Sequence, residues 1–228
     1  MTLGDNGIPS RGRTGSAPIV CADSGLLAAA TIIIAVVIVQ PLDVDSPSLV
    51  ADLTARRDSL LVSSLVDSLG AVALLVFFAG LAARLWQRDA VMLSFALASS
   101  GAVAVAVILG QAAIRVVVAG RLVLDSPEIA RGLFVLQGVA LHFDRFPLAV
   151  VIGASAAVFG NWLFRALCAL SVVLLILPTV AQVGALTPKG PVVTTTFALL
   201  LLWILFTIVL LLREVLTARR GSQSYTST

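Results

Sequence analysis

Apolar residues run through this chain in long unbroken blocks. They show neither the two-residue alternation of a half-buried strand nor the narrow stripe of a surface helix. The block "SGLLAAATIIIAVVIVQ" at 24–40 carries no charge, and similar blocks lie near 59–86, 90–119, 163–186 and 192–212. A hydrocarbon core about 30 Å thick takes roughly 20 helical residues to cross. In lipid a lone segment satisfies its own backbone hydrogen bonds only as a helix. Each block therefore predicts a transmembrane α-helix.

The stretch 127–160 departs from this pattern. Ser126-Pro127-Glu128 reads as a helix start, with a capping serine, a proline in the first turn and an acid at the positive end of the dipole. The heptapeptide "LHFDRFP" (Leu141–Pro147) then interrupts the apolar run with the only histidine of the chain, an acid, a base and a proline. We read two pieces: an interfacial helix near 127–141 on the outer surface, and a span near 147–162 opened by Pro147. Proline suits a first turn, and the residue before it resists helical geometry. One long kinked helix is the alternative. The predicted fold class is an all-α polytopic membrane bundle of about six transmembrane helices plus an outer interfacial helix.

Composition supports this setting. Of 228 residues, 59% are hydrophobic and 12% charged, half the roughly 25% usual in soluble domains. The mean hydropathy is +1.08. A soluble fold of this size could not hide that much apolar surface, so the lipid bilayer is the first predicted partner. The net charge of +3 comes from bases scattered singly or in pairs between apolar blocks, which argues against a nucleic-acid partner.

Basic residues set the expected orientation. Arg11 and Arg13, then Arg84 and Arg88, then Arg213, Arg219 and Arg220 share one side when six spans are counted. That side is expected to be cytoplasmic, and the membrane the plasma membrane. The opposite side receives "PLDVDSPSLVADLTARRD", "RLVLDSPEIAR" and "TPKGP" with Lys189. Five spans would divide the basic termini, so six are preferred. The organisation is thus a mobile cytoplasmic N-tail at 1–23, a bundle at 24–212 and a cytoplasmic C-tail at 213–228. No small-x-small site follows the first block, so an uncleaved helix is expected there rather than a signal peptide. Fourteen arginines against one lysine suggest a high-GC bacterial coding bias.

Candidate chemistry is sparse. Asp67 lies inside the second block, and intramembrane carboxylates mark a partner or a pathway. Ser63, Ser64 and Ser68 stand near it as hydrogen-bond donors, and Arg115, with Gln111 one turn below, is its expected countercharge. Asp67 is read either as a cation or proton site or as half of a pair that fixes helix register. His142, Asp144 and Arg145 are expected at the outer interface and, with Asp67 and Arg115, make the candidate polar cluster. No phosphate-binding glycine loop, H-E-x-x-H, C-x-x-C or G-x-S-x-G occurs, so no catalytic residue, cofactor or metal site is predicted. Cys21 and Cys168 have no ligand spacing.

Helix association in lipid depends on close backbone approach. Ser94, Ala98, Ala102, Ala106 and Gly110 form a ladder at four-residue spacing, and Ala149, Gly153 and Ala157 form another. We expect both to pack within the monomer, with a homodimer interface as the second reading.

The segment "FPLAVVIGASAAV", Phe146 to Val158, opens a late helix after a surface segment. In this the chain resembles uncharacterised multi-pass membrane proteins of actinobacteria. That resemblance implies a six-span membrane setting and no activity. The function expected is a non-enzymatic accessory or scaffold subunit working with other membrane proteins. The alternative is a small transporter or channel-like protein using the cluster around Asp67.

Overall fold

The computed structural model describes residues 16–38, 49–120, 126–181 and 190–224. They form α1 (Ser16–Ile38), α2 (Leu49–Ala55), α3 (Arg57–Trp86), α4 (Val91–Val118), α5 (Pro127–Phe143), α6 (Arg145–Ser155), α7 (Trp162–Ala181) and α8 (Gly190–Ser224). No strand occurs among the described residues. Six stretches are long and apolar enough to cross a membrane: Ala17–Ala35, Arg57–Trp86, Val91–Val118, Pro127–Ser155, Trp162–Val180 and Thr196–Thr217. The chain is a multi-pass all-α membrane bundle. Arg11, Arg13, Asp43, Asp45 and Lys189, on which part of the expected orientation rests, lie outside the described residues.

Around the bundle, neighbours touch in the order α1, α3, α4, α6, α7, α8 and back to α1. This closed ring is filled by aromatic side chains. Trp203 on α8 is fully buried and meets the Phe77 ring of α3 edge-on at 5.7 Å. Its indole N–H donates to Ser155 Oγ on α6 at 3.0 Å, so the buried N–H is satisfied. Phe164 of α7 stacks on Phe206 of α8 at 5.9 Å.

The α3–α4 hairpin turns on Asp89, whose φ of 58° lies in the left-handed region, where Asp is among the better tolerated residues. The Ala90 N–H reaches the Leu85 carbonyl and the Asp89 N–H the Trp86 carbonyl, the paired bonds of a Schellman cap. Ser94 Oγ donates to the Ala82 carbonyl at 2.8 Å at one end of this pair. Arg57 Nε donates to the Ala119 carbonyl at 3.0 Å at the other. These two bonds fix an antiparallel register along the whole hairpin.

Both described termini lie at one end of the bundle, called here the terminal end. There Cys21 of α1 sits against Gly80 of α3, and Arg84 of α3 pairs with Glu214 of α8. At the far end a second, smaller core joins Leu49 and Leu53 of α2, Leu60 of α3, Val118 and Ala119, and Ala130 of α5. The sequence pattern predicts no helix over 41–58 and does not announce α2, whose seven residues are too few to show a period.

The expected pieces near 127–141 and 147–162 differ from the observed ones. α5 and α6 meet at a single residue, Asp144, and the helical ladder passes through it. The Asp144 N–H reaches the Ala140 carbonyl at 3.0 Å, and the Leu148 N–H reaches the Asp144 carbonyl at 3.2 Å. Asp144 itself has helical angles, φ −60° and ψ −27°. Pro147 supplies no N–H to this ladder, but the bonds made by Asp144 and Leu148 on either side of it form, so the helix does not stop there. Pro127–Ser155 is consequently one apolar rod of 29 residues. The crossing ends at Ser155, seven residues before the expected boundary at 162.

Candidate functional site

Asp67 lies ten residues into α3, about 15 Å along the helix from Arg57. In the register set by Arg57 with Ala119 and Ser94 with Ala82, it stands opposite residue 109 of α4, so Arg115 is about 9 Å nearer the far end. Helical side chains lean toward their own N-terminus. Because α3 and α4 are antiparallel, Asp67 leans toward the far end and Arg115 away from it, and the two converge. Arg115 Nη1 donates to Asp67 Oδ2. The side chains are only 17% and 13% exposed, so each charge has its counterion where water is scarce.

The serines beside Asp67 serve their own helix instead. Ser63 and Ser64 both donate to the Leu60 carbonyl, at 2.9 and 2.8 Å, and Ser68 donates to the Ser64 carbonyl at 2.8 Å. Such back-bonding satisfies hydroxyls locally. It corrects the expectation that they would bond the carboxylate.

His142, Asp144 and Arg145 were placed at the outer interface by the argument that charges gather at element ends. Asp144 and Arg145 are instead interior, 8% and 2% exposed. The outward positions of the joint are taken by Phe143 and Phe146, whose rings lie 6.5 Å apart. Arg145 Nη1 donates to Thr179 Oγ1 of α7 at 3.1 Å, and the Thr179 hydroxyl in turn donates to the Leu175 carbonyl at 2.7 Å. His142 is half-buried. Among the described residues, no hydrogen bond or ion pair joins this group to Asp67 and Arg115. The expected single cluster is therefore two groups, one between α3 and α4 and one at the joint.

The small-residue ladders also part from expectation. Ser94 packs inside, but Ala98, Ala102, Ala106 and Gly110 face outward, and a Cβ built on Gly110 would meet nothing within 4 Å. The reason is angular. At 3.6 residues per turn, a four-residue step advances the face by about 40°, so four steps carry the ladder most of the way across the helix. The inward face follows Ser94, Leu97, Gly101, Ala104, Ala112 and Val118 instead. On the second ladder Ala149 is buried, Ala157 is half-buried and Gly153 faces outward.

Sequence reading overlooked three groups. Glu214 closes on Arg84 and lies 3.7 Å from Arg88; it was counted with the C-tail. Thr179 was read only as part of an apolar span. Gln137, 8% exposed, lies two turns before Asp144 on the same face, a spacing that could have been noticed. A groove of about 200 Å³ at the terminal end is lined by Asn161, Arg213, Glu214 and Thr217 among others. It is remote from Asp67 and from the joint. Among the described residues, no group of three or more His, Cys, Asp or Glu side chains could hold a metal ion.

No family model, no curated protein and no solved structure matches this chain. Its own geometry defines the class: a multi-pass membrane helix bundle that holds, among the described residues, six apolar stretches long enough to cross, the Asp67–Arg115 pair between two of them and a buried polar joint at Asp144.

Proposed function

We propose that this chain is a non-enzymatic accessory or scaffold subunit of a larger assembly in a bacterial plasma membrane, with both termini in the cytoplasm. The observation that carries this reading is the outward face of α4. Ala98, Ala102, Ala106 and Gly110 present a strip of small side chains to the surroundings of the bundle. In lipid there is no hydrophobic drive to cover such a strip, but small residues let a second helix approach closely enough for dispersion contacts to hold it. The pairing of Asp67 with Arg115 supports the same reading, since an acid already tied to a neighbouring helix fixes register.

Native mass spectrometry of the protein, extracted gently with its neighbours, tests the proposal. Recovery in fixed stoichiometry with larger membrane proteins is the expected result, and the partner's activity then names the process. Recovery alone, or only with further copies of itself, overturns the reading. The competing transporter reading expects Asp67→Asn to abolish a flux in reconstituted vesicles while insertion and folding persist. The subunit reading expects weaker assembly or no effect.

A further inference from the structure

Seven buried side-chain polar atoms have no hydrogen-bond partner among the described residues, and six of them lie on α4, α5 and the start of α6. They are Gln111 Nε2, Arg115 Nε, Gln137 Oε1, His142 Nε2, Asp144 Oδ1 and Arg145 Nε. Leaving such an atom buried and unsatisfied is costly, more so for a charged group. Arg115 belongs with Asp67, but His142, Asp144 and Arg145 stand together at the joint, with Gln137 and Gln111 spaced toward the far end, and this group marks a site that takes a ligand.

The joint's geometry selects the ligand. Asp144 is more than nine-tenths buried, it caps no helix, and its Oδ1 has no hydrogen-bond partner among the described residues. Arg145, one residue on, is turned by about 100° around the helix and is engaged with Thr179. Asp144 shares a face with Ala130 and Gln137, at seven-residue intervals, and α5 and α6 pack against α4. On α4, Gln111 lies seven residues from Val118, which shares the far-end core with Ala130. Two turns along each antiparallel helix from that core therefore bring the register to Gln137 and Gln111. Asp144 lies two further turns in, about 10 Å beyond Gln137.

The charged or titratable groups on the elements packed against the joint are few. Glu128, Arg131 and His142 lie on α5, Arg145 on α6, Arg115 on α4, and Arg165 and Cys168 on α7. None accepts or donates a hydrogen bond to Asp144. The neighbouring guanidinium makes a metal cation a poor fit, and a proton needs no further ligand.

We propose that Asp144 is a proton-binding site, reached from the far end of the bundle through Gln111 and Gln137. The step is a simple association: a proton from the aqueous phase bonds to a carboxylate oxygen, giving the neutral acid, and leaves by the same route. The proposal stands apart from the subunit reading and holds whether the protein works alone or in an assembly.

Infrared difference spectroscopy of the purified full chain in lipid nanodiscs, recorded across a pH series, tests it. The wild type is expected to show a protonated-carboxyl stretch, growing as pH falls, in excess of the one Asp144→Asn shows. Asp67→Asn keeps that excess band. A pH jump in weakly buffered solution should release about one more proton per chain from wild type than from Asp144→Asn. Gln137→Leu leaves the carboxylate in place but removes the polar step toward it. It should keep the band and slow its hydrogen–deuterium exchange. If Asp144→Asn fails to fold, Asp144→Glu, which keeps a carboxyl but changes its stretch, decides the site, and an unshifted band overturns it. Carboxyl bands that are identical in wild type and Asp144→Asn across the pH series overturn the site. Unchanged exchange in Gln137→Leu overturns the route.

Discussion

At the residue scale the most informative feature is that Asp67 and Arg115 are matched while Asp144 is not. Replacing Asp67 by Asn keeps the shape but leaves a largely buried guanidinium without its counterion. Breaking a fully buried pair costs about 3–5 kcal/mol. This pair retains 17% and 13% exposure, so Asp67→Asn should destabilise by roughly 2–3 kcal/mol, allowing for partial screening. The double variant Asp67→Asn/Arg115→Gln should recover more than half of that loss. Reversible unfolding in mixed micelles measures both. Additive losses in the double variant would show that the ion pair contributes nothing net. The countercharge was legible in the sequence because register between consecutive antiparallel spans follows from counting. The burial of Asp144 was not, because position along the chain gives depth but not face. Only the packing of α4 and α7 against the joint turns Phe143 and Phe146 outward and the charges inward.

At the element scale, close helix approach is localised at a few glycines. A Cβ on Gly70 would fall 2.5 Å from Thr31 Oγ1, one on Gly80 2.6 Å from Cys21 Sγ, and one on Gly101 2.7 Å from the Phe78 ring. The first two contacts hold α1 to α3 and the third holds α3 to α4. Gly70→Ala, Gly80→Ala and Gly101→Ala should each destabilise by about 1–3 kcal/mol, the usual cost of overpacking. Gly110→Ala, with nothing within 4 Å, should be neutral or stabilising by up to about 1 kcal/mol through helix propensity. Thermal unfolding of the four variants in one lipid–detergent mixture separates the two groups. Equal losses at all four would mean that propensity and not contact sets the effect. Composition and block length made the spans themselves readable, since lipid leaves a lone apolar segment no other structure. The packing face of α4 was misread because a four-residue ladder drifts around the helix. The α5–α6 joint is not legible because the ladder closes on both sides of Pro147, which the proline alone does not reveal. α2 was missed because its stability comes from Leu49 and Leu53 docking into the far-end core, a tertiary cause that two turns of sequence do not announce.

At the scale of the whole molecule, an even number of crossings brings α1's start and α8's end to one side of the bundle, where Arg84, Arg88 and Arg213 gather around Glu214. The far end carries Asp52, Asp58 and Glu128 beside Arg56, Arg57 and Arg131, so it is mixed in sign while the terminal end is dominated by bases. Short basic loops resist translocation and acids have little influence, so the terminal end should face the cytoplasm. Cysteine labelling reads this directly. Cys21 and Cys168 are 3% and 0% exposed, so the native chain gives a low background with a membrane-impermeant maleimide. A cysteine introduced at Ser222, in the last turn of α8, should stay unlabelled in intact cells and react after the membrane is opened. One introduced at Glu128, at the start of α5, should react in intact cells. Labelling of both from outside would put the two ends on one side and break the six-crossing topology, whereas the reverse pattern would keep the topology and invert the molecule. The Asp144 route depends on this result. In the expected orientation the proton site opens to the outside of the cell, and in the inverted one it would report cytoplasmic pH.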